Sequence, residues 1–220
     1  MVVDSLLQVV NPGDESFREM TIGTTVLALA MVKSFLTAEQ MGARKRWRPF
    51  CTYVKADDGH NYLVRNLPDK KEAAELLSEM KKRLTKLVNH AYKNRNDKYK
   101  DKKSEIELLK KNYRPDAISE SSPGNKYTSY SINKGKKIVY CIRSKTVENK
   151  LVDINTMMFV AIHEMGHLAS KEIGHVPPFW DNMKYLLEIG IELDIYKKED
   201  YAAAPVSYCG TKITDTPLDT

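Results

Sequence analysis

His163, Glu164 and His167 are the residues whose types and spacing do chemistry in this chain. They stand in the run Phe159-Val-Ala-Ile-His163-Glu164-Met-Gly-His167-Leu168. On a helix, a four-residue step sets the two imidazoles one turn apart on one face, within reach of a single ion. Zinc suits such a pair. It takes neutral imidazole nitrogens in a tetrahedral site and, with three protein ligands, keeps a fourth position for water. Glu164 lies about 100° round the helix from His163, placed to take a proton from that water. With five histidines in 220 residues, chance delivers the pattern H-E-x-x-H in roughly one such chain in a hundred. The competing reading is a buried helix that carries two satisfied histidines.

The third ligand is open between two readings. After His167 the chain runs Leu168-Ala-Ser-Lys-Glu-Ile-Gly174-His175-Val-Pro-Pro-Phe179-Trp180. Gly174 can end the helix in a left-handed turn that swings His175 back toward the metal, and His175 is the preferred ligand. The rival is a carboxylate on the following helix, Glu188 or Glu192, as in zinc sites of two histidines and a glutamate.

The order H-E-x-x-H, Leu168, a short turn, Gly174-His175, then Phe179-Trp180 resembles the WLM metallopeptidases and the related SprT-like minimal zinc peptidases. The upstream run Tyr127–Arg143 and the downstream Tyr208-Cys209-Gly210 resemble WLM-like proteins of large DNA viruses and algae. The resemblance covers about residues 60–218. It departs in one spacing: His175 follows His167 by eight residues, two more than in many members. It implies a zinc peptidase acting on protein or peptide substrates, within a minimal zincin-like domain of a small sheet, a central H-E-x-x-H helix and flanking helices. It also implies that a strand beside the metal helix holds substrate extended. Ile138–Arg143 is expected to be that strand, at the sheet edge.

Several elements must position these residues. Ile154 to Ile162 is apolar on every side, which reads as a helix buried in the core, with Asp153 or Asn155 as its N-cap. Gly166 inside that helix marks close approach of another backbone or strand. Ser129–Ile132 and Lys137–Ile142 flank the turn Asn133-Lys134-Gly135 and read as a hairpin. Pro177-Pro178 start a second helix whose Trp180, Met183, Leu187 and Ile191 keep helical spacing. Phe179 and Trp180 read as core. The tail Tyr201–Thr220 reads as a loop over the domain, with Tyr208 a potential donor to a developing oxyanion.

Earlier in the chain, Cys51–Val54 and Asn61–Arg65 around Asp58-Gly59 read as a hairpin. Asn66-Leu-Pro68-Asp69 opens an amphipathic helix with Ala73, Leu76, Leu77, Met80, Leu84, Leu87, Val88 and Ala91 on one face. His90 on it is an ordinary histidine. Between Lys81 and Arg114 stand thirteen Lys or Arg against four Asp or Glu. This basic stretch 81–114 is either a possible DNA contact through phosphates or a solvated helix face followed by a flexible loop from Lys93 to Lys103.

The composition, 42% hydrophobic and 29% charged, excludes a disordered chain, and 220 residues suit one domain of ordinary size. The fold class expected is α+β, with residues 1–45 an N-terminal segment and residues 46–220 a single catalytic domain. The uncharged run from Met20 to Val32 is too short to span hydrocarbon. Residues 20–41 are therefore either a packed helix or a marginal membrane anchor flanked by Arg44, Lys45, Arg46 and Arg48. Cys51, Cys141 and Cys209 are odd in number and show no C-x-x-C pair. That argues against a disulfide framework and points to an intracellular reducing compartment, cytoplasmic or nuclear. The function expected is zinc-dependent peptide hydrolysis, with Glu164 catalytic and His163, His167 and His175 on zinc. Two alternatives are a metal-dependent amidase on a small substrate, and a basic nucleic-acid- or membrane-associated adaptor whose metal is structural. A structural zinc is usually closed by four protein ligands, and no fourth is evident in the sequence.

Overall fold

A computed structural model describes residues 50–219, apart from Lys126 and Thr146. The N-terminal segment 1–45, with the apolar stretch 20–41, lies outside the described residues. Among those described, no helix is long and apolar enough to cross a membrane.

The fold is α+β. β1 (Cys51–Lys55) and β2 (Asn61–Arg65) pair antiparallel around the expected turn, where Gly59 has φ 83°. α1 (Lys70–Lys93) follows and buries Ala73, Leu77, Met80, Leu84, Leu87, Val88 and Ala91, the face its three- and four-residue steps predict. The expected loop from Lys93 to Lys103 separates this helix from the next and is made of turns. A 3-10 turn at Lys100–Lys102 leads into α2 (Lys103–Asn112), a short helix that buries Ile106 and Leu109. Dense charge hides a helix whose apolar face is only two residues wide.

β3 (Ile118–Glu120), β4 (Tyr130–Ile132) and β5 (Lys137–Tyr140) form a sheet in the order β3-β5-β4. The β4–β5 hairpin turns through Asn133, Lys134 and Gly135, all at positive φ. Gly135 is required there, because a Cβ would lie 2.5 Å from the Asn112 carbonyl oxygen. β5 pairs with β3 on its other side, in parallel. The expectation that Ile138–Arg143 forms the sheet edge is therefore corrected: its regular part is the central strand, and β4 is at an edge. Local alternation shows a strand but not its place in the sheet.

α3 (Ile154–Ala169) and α4 (Pro177–Glu192) complete the core, followed by a small hairpin of β6 (Val206–Tyr208) and β7 (Thr211–Ile213). The tail is thus partly regular, its turn made by Cys209 and Gly210 at positive φ. One hydrophobic cluster joins residues of α1, α2, α3, α4 and the sheet. Beneath the sheet a buried charge group ties three segments together. The Arg143 guanidinium donates to Glu120 through Nε at 2.8 Å, and its Nη1 binds the Asp69 carboxylate at 2.5 Å and the Asn149 carbonyl at 3.0 Å. Arg143 is 2% exposed, so loss of either partner strands a charge in the core.

The cysteine reading is also corrected. Cys141, just past β5, is joined to Cys209 in the β6–β7 turn by a disulfide across 68 residues of sequence. Only the folded sheet brings the pair together, so spacing did not reveal it, and cysteine usage no longer supports the expected compartment. Closing a ring of that length contributes about 4 kcal/mol on loop-entropy arithmetic. The Cys141→Ser, Cys209→Ser double variant should therefore unfold at a clearly lower thermal midpoint than the oxidised chain. Equal midpoints under non-reducing conditions would show that the bond carries no stability.

Candidate metal centre

The site is built on α3. Its N-terminus is capped by Asp153, whose carboxylate accepts from the Thr156 amide at 2.9 Å. From Thr156 to Ala169 every residue is buried. A helix with no solvent face must satisfy its last carbonyls by side chains. Asn112 donates to the Leu168 carbonyl at 2.9 Å, Lys134 to that of Ser170 at 2.9 Å, and the Ser170 hydroxyl to that of Gly166 at 2.8 Å. Asn182 of α4 then donates to the Ser170 hydroxyl at 2.9 Å. The histidine-bearing end of the helix is thus gripped from α2, the β4–β5 turn and α4.

His163, His167 and His175 converge, with one nitrogen from each lying within 4.8 Å of the others. The Nε2 atoms of His163 and His175 are 3.0 Å apart. Two imidazole nitrogens at tetrahedral positions on one zinc lie about 3.3 Å apart, given bonds of about 2.0–2.1 Å. The spacing therefore fits a shared ion. His175 arrives through the loop after α3, where Gly174 has φ 86°, the left-handed turn expected of it. The helix itself stops earlier, at Ala169.

The rival ligands are elsewhere. Glu192 binds Lys98 at 2.5 Å and Tyr99 at 3.0 Å. Glu188 is exposed and lines the same surface cavity as those residues. Neither joins the histidine cluster. His90 is also apart from it, facing the Tyr99 hydroxyl at 3.2 Å. The basic stretch is partly neutralised: Lys81 pairs with Asp116, Arg83 with Glu79, Arg95 with Glu107 and Lys98 with Glu192.

Phe179 organises the three imidazoles. Its ring centroid lies 4.7, 4.3 and 4.8 Å from those of His163, His167 and His175, stacked on His167 and edge-on to the others. Gly166 makes room for it. A Cβ there would stand 3.1 Å from the Phe179 ring, so the close approach marked by this glycine is a side chain of α4 rather than another backbone. Trp180 is half-buried and donates its indole N–H to the His175 carbonyl at 3.0 Å, which fixes the loop that carries His175. The sequence placed both aromatics in the core. Phe179 is there, but it is also a wall of the site, and the glycine one turn opposite was the available signal.

Burial sets the charges. It drives the His163 imidazole far below its ordinary range and His167 down to about 3, with the neighbouring imidazoles adding to both shifts. Both are neutral at physiological pH, the form that binds a metal. Glu164 is 0% exposed, and burial raises its carboxyl to about 8. Neither Glu164 carboxylate oxygen nor His167 Nε2 has a hydrogen-bond partner. Uncommitted buried polar atoms are rare in folded proteins, and these sit where a metal and its water fit. Tyr208, expected as a donor to an oxyanion, is instead buried with its hydroxyl 2.6 Å from Ser129 Oγ.

Two predictions follow from this geometry. His175→Ala should lower zinc affinity sharply, while Glu188→Ala and Glu192→Ala leave it near wild type; unchanged zinc content in the histidine variant would remove His175 from the site. The second concerns the metal-free protein. His167 ionises lower in the folded chain than its ordinary 6.5, so stability falls as pH drops from about 6.5 toward 3. Glu164 has the opposite sign: its folded value of about 8 exceeds the ordinary 4.5, so stability falls as pH rises through that window. Glu164→Gln should flatten only the alkaline fall between pH 4.5 and 8 in denaturation curves, and parallel wild-type and variant curves would contradict the burial argument.

No family model matches the chain, and no solved structure matches it. Curated relatives do. It is 36% identical over 69 residues to "Uncharacterized protein 136R" of Invertebrate iridescent virus 6, covering 31% of this chain and 38% of the relative. It is 34% identical over 68 residues to "Uncharacterized protein 042R" of Invertebrate iridescent virus 3, covering 31% and 42%. A longer match, 38% identical over 175 residues, spans 79% of this chain and 88% of "Uncharacterized protein R325" of Acanthamoeba polyphaga mimivirus. All three relatives are viral proteins, and on the extent of that last match the chain belongs to the family of the mimivirus protein.

Proposed function

We propose that the chain is a zinc-dependent metallopeptidase of minimal zincin-like architecture that hydrolyses peptide bonds in protein substrates. The observation that carries this reading is the convergence of His163, His167 and His175 beside a buried, uncommitted Glu164. A zinc ion held there supplies a Lewis acid for the scissile carbonyl and lowers the pKa of a bound water toward neutrality.

The chain's own residues do the rest. The His163 and His167 imidazoles are held neutral by burial, and all three are aimed by Phe179 and the Trp180–His175 contact. Glu164 accepts the water proton on a carboxylate oxygen and returns it to the leaving amine. A cation on the adjacent imidazoles favours the ionised carboxylate that this role needs, against the upward push of burial. Peptide pairs in extended form along β4, at the edge of the three-stranded sheet, since β5 is enclosed by β3 and β4.

The test separates a catalytic metal from a structural one. Glu164→Gln keeps size and polarity but removes the base, so zinc content and fold should be retained. Cleavage of an unfolded protein should fall by about 10²–10⁴-fold. An adaptor with a structural metal has no chemistry to lose, and cleavage at the wild-type rate with zinc retained would sink the mechanism.

A further inference from the structure

Lys134 stands in the β4–β5 turn with φ 49°, a left-handed backbone that suits glycine or asparagine better than lysine. A residue that breaks a local preference is kept for what its side chain reaches. Here the side chain is half-buried, and its ammonium donates to two main-chain carbonyls, that of Ser170 at 2.9 Å and that of Glu172 at 3.2 Å. Ser170 is the C-cap of α3, whereas Glu172 lies in the loop that brings His175 back to the other two histidines. That loop has little else to hold it. Among the described residues, Lys171 to Gly174 make no backbone–backbone hydrogen bond, and the Ile173 side chain is exposed. The far end of the loop is fixed by Trp180, through the His175 carbonyl. The near end rests on Lys134.

We propose that Lys134 is a positioning residue for the third metal ligand: by holding the Ser170 and Glu172 carbonyls on one ammonium, it sets the path of the loop and so the place of His175 beside His163 and His167. The inference rests on the reading of the three histidines as a zinc site and deepens it with a residue outside the motif. Because β4 ends at Ile132, the strand along which peptide pairs and the loop of the third ligand are joined by this one side chain. The ammonium acts on a bound dication in two opposed ways. Its charge repels the ion, so removing the charge alone tightens binding. Its hydrogen bonds hold the ligand loop, so losing them weakens binding. The second effect is the larger, since the groups that orient metal ligands are worth about 10–100-fold in affinity, while a half-exposed charge is screened by water and salt.

The experiment measures zinc dissociation constants for Lys134→Met, Lys134→Arg and Lys136→Met, and for Lys134→Met in the His175→Ala background. Lys134→Met should bind zinc about 10-fold more weakly than wild type. Lys136→Met, which removes an exposed lysine of the same turn, should bind it no more weakly. Lys134→Arg keeps charge and donors and should stay close to wild type. In the His175→Ala background Lys134→Met should cause no further loss, because no third ligand is left to place. Hydrogen exchange of the metal-free protein should quicken at residues 171–175 in Lys134→Met and stay unchanged within α3. Zinc affinity equal to wild type or tighter in Lys134→Met would overturn the proposal. So would an equal loss in both backgrounds, since a general loosening of the end of α3 acts on His163 and His167 as well. Should Lys134→Met not fold, Lys134→Arg decides, and a 10-fold weaker ion with the donors retained overturns the proposal. Cleavage is read separately: a wild type that binds zinc and cleaves nothing sinks the peptidase reading and leaves this cycle intact, whereas normal cleavage with unchanged zinc affinity in Lys134→Met sinks the role of Lys134 alone.

Discussion

A helix buried on every face must account for each polar group it carries, and α3 carries more than a helix in that position ordinarily does. His163, Glu164 and His167 all lie within the fully buried run of the helix. The surrounding structure answers most of the demand: Asp153 caps one end, while Asn112, Lys134, Ser170 and Asn182 serve the other. What stays unanswered is the pair of Glu164 oxygens and His167 Nε2. Side chains brought from four elements to the helix ends, beside unsatisfied side chains one turn away, are the pattern expected of a functional site rather than of a poorly packed core.

The same constraint explains why the neighbouring elements are where they are. The β4–β5 turn must bring Lys134 to the end of α3, and its backbone does so through three successive residues at positive φ. α2 must present Asn112 to the same end. Its short apolar face, Ile106 and Leu109, packs that helix into the common core. The Arg143 group fixes the far side of the sheet, joining the end of β3 to the start of α1 through Glu120 and Asp69. A buried ion group of this kind contributes little net stability, but it penalises any arrangement that separates its members.

Much of this was legible in the sequence because it is local. The two hairpins announced themselves through alternation and turn residues, α1 through its periodicity, and α3 through an apolar run that ends in H-E-x-x-H. The return of His175, and not of Glu188 or Glu192, to the two helix histidines was legible too, since a glycine-led turn needs only a short path back to the helix. Long-range facts were not. The central place of β5, the Cys141–Cys209 bond and the Arg143 group depend on which segments meet, and spacing along one chain does not encode that. α2 was missed for another reason: Lys and Glu dominate its exposed faces, and two buried residues make a weak period.

Gly166 shows how a local signal and a long-range one combine. Glycine in a helix interior costs about 1 kcal/mol relative to alanine, so a packed helix does not keep one without cause. The cause is Phe179, whose ring edge would lie only 3.1 Å from an alanine methyl at that position. That ring has little freedom to move aside, because it stacks on His167 while contacting His163 and His175 edge-on. A methyl at residue 166 would require that ring to shift by a few tenths of an ångström, against its contacts with the three imidazoles. The glycine cost is therefore tied to the geometry of the histidines rather than to the stability of the helix, and α4 is as much a part of the candidate site as the helix that bears the motif.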